Sequence, residues 1–348
     1  MRYKIGMYGG SFNPLHMGHV DCIIRAANMC EKLYIVLSVG CKRNEIDMRV
    51  RYRWLYQITK HIGNVEIFTI EDNDATKADY GVNSWKKDAE YVKSYIKDKI
   101  DVVFCGSDYD ENSFWNVCYP ESELHIFDRN DISSTEIRKN PYKCWDSLPN
   151  IVKPYFVKKV LLIGGESTGK STLTINLANH YNTNYIDEAG RELSEKSGTD
   201  TLMLSEDFTE ILLQQKLNEI KAIEQSNKVL FIDTDALITQ FFMNFLEDSG
   251  IERNKALSDA IDGLNNYDLI LFLEPDVKFV RDGGRSEIIE RDREKYSNQI
   301  KKLFDEHGKE YVCIAGDYQE RYLKAIEAVD ELLGIYSCKR SGNHYTFP

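Results

Sequence analysis

Apolar and polar positions come in blocks along this chain, and the blocks keep one rhythm. A short apolar run is followed by a stretch whose apolar residues recur every three or four positions. Tyr3–Tyr8 is the first run, and Val20, Ile23, Ile24 and Ala27 then fall on one helical face. Lys32–Val39, Val65–Ile70, Asp101–Cys105 and Glu123–Phe127 predict four more strands. Between them, Val50, Trp54, Leu55 and Ile58 predict one amphipathic helix, and Trp85, Ala89, Val92 and Ile96 another. The rhythm restarts at Lys159–Ile163, with Leu173, Leu177 and Ala178 at helical spacing behind it. Lys228–Ile232, Asp268–Leu273 and Tyr311–Ile314 predict further strands, and helices are expected over Ser205–Ser226 and Gln319–Leu333. Strands alternating with helices predict an α/β protein with parallel sheets.

At 348 residues the chain is too long for one ordinary core. Pro141, Pro149 and Pro154 punctuate a short stretch around Trp145 and Leu148. It reads as a short helical connector, and it places two domains at 1–150 and 151–348.

Composition narrows the class. The apolar and charged fractions, 42% and 29%, are those of a globular protein. A formal net charge of −12 argues against nucleic acid as a main partner. Phosphate substrates need only local Lys and Arg. The eight cysteines show no C-x-x-C pair, so neither a zinc site nor a disulfide framework is suggested. Free thiols fit a reducing cytosol, and a cytoplasmic protein is expected. Met1 runs into the first strand without an apolar leader, and no run reaches the ~18 apolar residues of a membrane span.

The strongest chemical signal is Gly164-Gly165-Glu166-Ser167-Thr168-Gly169-Lys170-Ser171-Thr172. It holds the full P-loop pattern between a predicted strand and a predicted helix, the setting that pattern needs. Glycines let backbone N–H groups turn around phosphate oxygens, and the helix N-terminus adds partial positive charge. Lys170 is expected to reach the β- and γ-phosphates of ATP, and Ser171 to ligate Mg²⁺. Downstream, Asp187-Glu188-Ala189-Gly190-Arg191 follows one strand end, and Asp233-Thr234-Asp235 follows another. Carboxylates there are candidates for taking a substrate proton, for holding ribose hydroxyls and for the Mg²⁺ shell. An ordinary strand-end turn also accounts for Asp233. Asp282-Gly283-Gly284-Arg285, with Arg291 and Arg293, reads as an arginine-bearing lid or as the start of a charged helix over Glu287–Lys295.

The first half carries a second site. Gly9-Gly10-Ser11-Phe12-Asn13-Pro14-Leu15-His16-Met17-Gly18-His19 links the first strand to the first helix. Two histidines three apart at a helix N-terminus suit an anionic ligand. Metal ligation and an incidental turn are the alternatives, although the spacing lacks the Glu and the i,i+4 step of a helical zinc motif. Lys42, Arg43, Arg49, Arg51 and Arg53 form a basic cluster, or a solvated charged face. Trp85 could stack on a flat substrate ring or pack in the core. Gly106-Ser107-Asp108 ends the fourth strand, where open α/β sheets hold ligands. Ser133-Ser134-Thr135-Glu136 reads as a capping box that opens a helix, with Arg138 one turn in.

Gly10, Phe12, Pro14, His16, Gly18 and His19 match the first signature of the nucleotidyltransferase superfamily. Ile132-Ser133-Ser134-Thr135-Glu136-Ile137-Arg138 resembles its second. A nucleotidyltransferase joined in this order to a small P-loop kinase resembles the NadR family. Its members are bifunctional nicotinamide-nucleotide adenylyltransferases and ribosylnicotinamide kinases.

The resemblance implies a Rossmann-like nucleotidyltransferase domain followed by a P-loop kinase domain. The kinase would phosphorylate nicotinamide riboside with ATP. The first domain would join the resulting nicotinamide mononucleotide to AMP from a second ATP, giving NAD and pyrophosphate. His16, His19 and Arg138 would serve adenylyl transfer. Gly9, Gly10, Ser11, Phe12, Gly106, Asp108, Ser133, Ser134 and Thr135 would line the nucleotide pocket, with Trp85 on the nicotinamide ring.

In the kinase, Lys170, Glu188 and Asp233 would be catalytic, and Gly164 to Thr172 and Arg285 would hold ATP. Arg191 and Asp235 would contact the riboside, and Ser171 and Asp233 the Mg²⁺. Two alternatives stand beside this: a kinase whose weak transferase half senses NAD, and a transferase–kinase for another precursor, as in coenzyme A assembly. Some family members carry an N-terminal helix-turn-helix repressor domain. The first strand begins at Arg2–Tyr3 here, so direct DNA repression is not expected. A homo-oligomer is compatible with the resemblance.

Overall fold

The computed structural model describes residues 2–74, 81–107, 113–128, 132–190, 203–246, 251–280 and 287–335. Asp108, Arg191, Arg285 and the Asp282-Gly283-Gly284 turn lie outside the described residues. The chain divides into two compact units, Met1–Lys153 and Pro154–Pro348.

In the first unit, β1 (Tyr3–Gly10), β2 (Cys30–Gly40), β3 (Val65–Asp72), β4 (Val102–Gly106) and β5 (Glu123–Phe127) form one sheet. Its order is β3-β2-β1-β4-β5, and every pairing is parallel. The chain fills one side of β1, then crosses to β4 on the other. That reversal opens a crevice at the C-terminal ends of β1 and β4. The central strands read as nearly continuous apolar runs because helices cover both faces. Leu33, Ile35, Leu37, Val102 and Phe104 are fully buried. The helix Met17–Met29 seals one face with Cys22, Ile23, Ala26 and Ala27.

The second unit repeats the plan. β6 (Lys158–Gly164), β7 (Tyr185–Ile186), β8 (Val229–Asp233), β9 (Leu269–Leu273) and β10 (Val312–Ile314) order as β10-β9-β6-β8-β7, again all parallel. β6 is central, and the helix Lys170–Tyr181 follows it directly. The register sets Leu162 of β6 against Asp233 of β8. The β8 carboxylate therefore stands next to the start of the glycine loop.

One local expectation is refined and one needs correction. The connector is helical, in two short 3-10 turns, Trp145–Ser147 and Lys153–Tyr155. Pro149 and Pro154 remove backbone donors there, which an α-helix could not spare. The helix expected over Glu287–Lys295 breaks at Asp292 into Glu287–Arg291 and Arg293–Glu306. Among the described residues, no helix is long and apolar enough to cross a membrane.

Two candidate active sites

The first site lies where β1 runs out at Gly10. His16 caps the N-terminus of the helix Met17–Met29, and His19 sits one turn in. The His19 Nδ1 accepts from the His16 backbone N–H at 3.4 Å, and the two rings stack with centroids 3.7 Å apart. Phe12 packs edge-on against His19 with centroids 5.0 Å apart. Both imidazoles are largely buried. Packing rather than solvent fixes their orientation.

Three side chains from outside the loop grip its carbonyls. Arg51 Nη1 donates to Ser11 O at 2.7 Å. Arg138 donates to Asn13 O, and Ser134 Oγ to Pro14 O at 3.1 Å. The Asn13 side chain in turn accepts from the Ile46 N–H at 3.1 Å. The two signatures, over a hundred residues apart in sequence, thus form one hydrogen-bonded unit. The helix that carries the second signature, Ser134–Lys139, has only six residues. Ser133 caps it singly, accepting from the Thr135 N–H, and Glu136 pairs with Lys139. The reciprocal box expected there does not form.

The basic cluster divides. Arg49 pairs with Asp47 at the surface. Arg51 is 1% exposed and meets Glu45 at 3.1 Å and Ser38 O at 3.2 Å. Arg43 pairs with Glu45 at 3.0 Å and with Asp72 at 2.5 Å. A solvated face is therefore wrong for Arg43 and Arg51. Two carboxylates supply the charge balance that lets them turn inward.

Gly106 ends β4 beside this loop and is buried. Trp85 is half-buried, and its ring meets Trp115 edge-on at 4.7 Å between centroids. Trp115 lies against Gly9, where a Cβ would come within 2.8 Å of its ring. Trp85 is thus linked through Trp115 to the end of β1. The sequence signal for Trp115 was absent, since its five-residue helix, Phe114–Cys118, is too short to show periodicity.

The second site is the loop after β6. Gly164 takes φ +146°, Ser167 φ +58° and Gly169 φ +87°. A Cβ at Gly164 would lie 2.6 Å from the Leu273 backbone oxygen. Glycine is required there on both counts. Thr168 Oγ1 donates to Gly165 O at 2.8 Å, and Lys170 Nζ to the same oxygen at 3.0 Å. Lys170 opens the helix, with Ser171 and Thr172 following in its first turn. Glu166 and Ser167 are half-buried at the turn of the loop. Ser167 Oγ accepts from the Val280 N–H at 2.7 Å.

Arg293, named in the lid alternative, lies beside the P-loop, while Asp282 to Arg285 lie outside the described residues. Arg293 donates to Val277 O at 2.5 Å and to Ser167 O at 3.3 Å. It braces the loop from behind, and this inward turn coincides with the helix break at Asp292.

Asp233 is fully buried at the end of β8. Gln215, from the helix Ser205–Ile223, donates to Asp233 O at 3.3 Å and to Thr234 O at 3.2 Å. Its Oε1 accepts from the Ala189 N–H at 3.4 Å. One amide thus joins the Asp233 turn to the Glu188 turn. Glu188 lines a surface depression of about 540 Å³ with Asp187, Glu210, Gln214 and Lys221.

Asp235 caps the helix Ala236–Leu246, its Oδ1 accepting from the N–H groups of Leu237 and Ile238. Burial pushes its carboxyl up to about 7, with the Asp262 carboxylate adding to the rise and Lys309 opposing it. Its Oδ2 has no hydrogen-bond partner among the described residues. Gln215 escaped sequence reasoning because nothing distinguishes it from its neighbours on a polar helix.

Comparison with known proteins gives each unit a relative. Residues 7–140 match the cytidylyltransferase-like family model, and residues 159–321 match the AAA domain. The trifunctional NAD biosynthesis/regulator protein NadR of Escherichia coli (strain K12) is 31% identical over 349 residues. The alignment covers 95% of this chain and 83% of that protein. Its counterpart from Salmonella typhimurium is 30% identical, with 95% and 84% covered. The chain belongs to the NadR family. Phosphopantetheine adenylyltransferase of Mycoplasma capricolum, 30% identical, aligns with only 35% of the chain.

The NadR fold extends over both units. A crystal structure of a NadR protein in complex with NR superposes with a TM-score of 0.78 at 23% identity, covering 98% of each chain. A second, of a NadR protein in complex with NAD and AMP-PNP, gives 0.76 at 22% identity, covering 97% of this chain and 98% of that one. As a NadR-family chain, the protein is an enzyme with a nucleotidyltransferase unit and a kinase unit.

Proposed function

We propose that the chain makes NAD from nicotinamide riboside in two ATP-dependent steps, one on each unit. The observation that carries this is the pair of loops, each at the C-terminal end of the central strand of its own parallel sheet. One bears stacked imidazoles and the other a P-loop lysine.

In the kinase step, the riboside 5′-hydroxyl attacks the γ-phosphorus of ATP. The new O–P bond forms as the bond to ADP breaks, and the hydroxyl proton passes to a carboxylate. Lys170 and the amides from Gly164 to Thr172 hold the phosphates. Glu188 and Asp233 are the carboxylates available for proton transfer and for the metal shell, while Asp235 and Arg191 suit the riboside. Arg285 serves the ATP phosphates in this reading.

Among the described residues no group of three or more His, Cys, Asp or Glu is arranged to hold a metal. Mg²⁺ bound with a nucleotide needs fewer protein ligands, because phosphates and water complete its shell. The Ser171 hydroxyl and the buried Asp233 carboxylate fit that need. When bound there, Mg²⁺ neutralises charge on the β- and γ-phosphates.

In the transferase step, a phosphate oxygen of the mononucleotide attacks the α-phosphorus of ATP, and pyrophosphate leaves. No covalent enzyme intermediate is required. His16, His19 and Arg138 stabilise charge on the departing pyrophosphate. Gly9, Gly10, Ser11, Phe12, Gly106, Asp108, Ser133, Ser134 and Thr135 border the nucleotide, and Trp85 offers a face to the nicotinamide ring. A cytoplasmic setting is part of this proposal, since free thiols suit a reducing compartment.

The test supplies ATP, Mg²⁺ and nicotinamide riboside to the purified chain. Both mononucleotide and NAD are expected. Mononucleotide without NAD, even when mononucleotide is supplied directly, would mark the first unit as a sensor. No product would point to another precursor pair.

A further inference from the structure

Arg321 lies on the helix Tyr318–Leu333, far in sequence from the P-loop, and is only 2% exposed. Its whole guanidinium is used. Nη1 donates to Thr168 O at 2.6 Å, Nε to Gly316 O at 2.8 Å and Nη2 to Glu274 O at 2.8 Å, with Asp276 also on Nη2. Three of these acceptors are backbone carbonyls, and one belongs to the P-loop.

In a trans peptide the C=O and the next N–H point in opposite directions. A guanidinium that holds Thr168 O therefore sets where the Gly169 N–H points. It also keeps a carbonyl lone pair away from an incoming phosphate. The same arginine fixes Glu274, the residue after Leu273, and the Leu273 oxygen crowds Gly164 at the other end of the loop. Tyr318, one turn earlier on the helix, lies against Gly169.

We propose that Arg321 is a positioning residue for the kinase, holding the P-loop in its phosphate-receiving shape without touching nucleotide. This rests on the reading of the loop as the ATP site. The planar fork matters because its three nitrogens reach acceptors on three separate segments. A lysine keeps the charge but cannot span them.

The experiment compares Arg321→Lys, Arg321→Gln and Asp276→Asn in the full chain. ATP KM and kcat are measured for riboside phosphorylation, with adenylyl transfer from mononucleotide as the internal control. Arg321→Lys is expected to raise the kinase KM for ATP about tenfold or more, as lost charged hydrogen bonds do. kcat should change less, and adenylyl transfer should hold. Asp276→Asn keeps the carbonyl contacts and should leave KM within about twofold of wild type.

A kinase KM unchanged in both Arg321 variants would overturn the proposal. So would Asp276→Asn matching Arg321→Lys, which would assign the effect to the ion pair rather than to the carbonyl clamp, or loss of the second unit's melting transition in both arginine variants, which would assign Arg321 to stability. If the wild-type protein phosphorylated no riboside, the substrate reading would fail separately. Titration with a nonhydrolysable ATP analogue would still show whether Arg321→Lys weakens the P-loop.

Discussion

The two loops make a comparison within one chain. The P-loop does part of its own shaping: Thr168 and Lys170 both bond Gly165 O, and three left-handed or glycine-only φ values bend the chain within six residues. Arg321 and Arg293 brace it from behind. The first signature loop has less local scaffolding. Arg51, Arg138 and Ser134 reach in from positions 40, 125 and 120 residues away. The P-loop is thus a local motif with remote braces, whereas the histidine loop is a long-range assembly. Changes within either loop should damage that loop, and changes at the remote supports of either should be felt through its carbonyls.

The sharpest break is Lys170→Ala. Riboside phosphorylation is expected to fall by about 10³-fold or more, because the lysine acts on transferring charge. NAD formation from supplied mononucleotide should stay at wild-type rate. Initial rates of both reactions on one preparation check this. Loss of both activities would contradict separate sites.

His19→Ala comes next. Adenylyl transfer should drop about 10²- to 10³-fold, the range for removing one preorganised donor at a site of developing charge. Phosphorylation of the riboside is the control and should not move. The His16→Ala, His19→Ala pair should be less than additive, since the rings stack at 3.7 Å.

Gly164→Ala should act on stability. A side chain at φ +146°, 2.6 Å from the Leu273 oxygen, costs on the order of 1–3 kcal/mol. Calorimetry should show a lower transition for the second unit only. A matched Gly10→Ala has 3.3 Å to the Phe12 ring and no positive φ, so it should cost less.

The smallest expected effect is a slope. Burial holds Asp235 protonated up to about 7, whereas in the unfolded chain it ionises near 3.8, as an ordinary aspartate does. Between those values the folded state binds more protons, so its stability is greatest at low pH and falls as pH rises towards about 7. Asp262, Lys309 and Tyr267 are the ionisable groups around it. Asp235→Asn keeps the cap and should flatten that slope in a melting series from pH 5 to 8. An unchanged slope would mean that Asp235 is ionised in the folded state.

The comparison also explains what was legible. The strand–helix rhythm and both nucleotide signatures are contiguous or periodic, so the residues show them. Arg51 and Arg321 were not legible as buried clamps. A charged residue on an amphipathic helix looks solvated unless its acceptors are known, and those acceptors are carbonyls, which any residue supplies. Gln215 was hidden for the same reason: its partners are Asp233 O, Thr234 O and the Ala189 N–H. Trp115 became visible only through the approach of its ring to Gly9. Glycine φ values, in contrast, announced themselves through the motif that needs them.

The most direct test counts binding sites. The intact chain is titrated with a nonhydrolysable ATP analogue and Mg²⁺ by calorimetry. Two equivalents per chain are expected, with Lys170→Ala weakening one and His19→Ala the other. A single equivalent, or one variant weakening both, would contradict a chain built around two separate triphosphate sites.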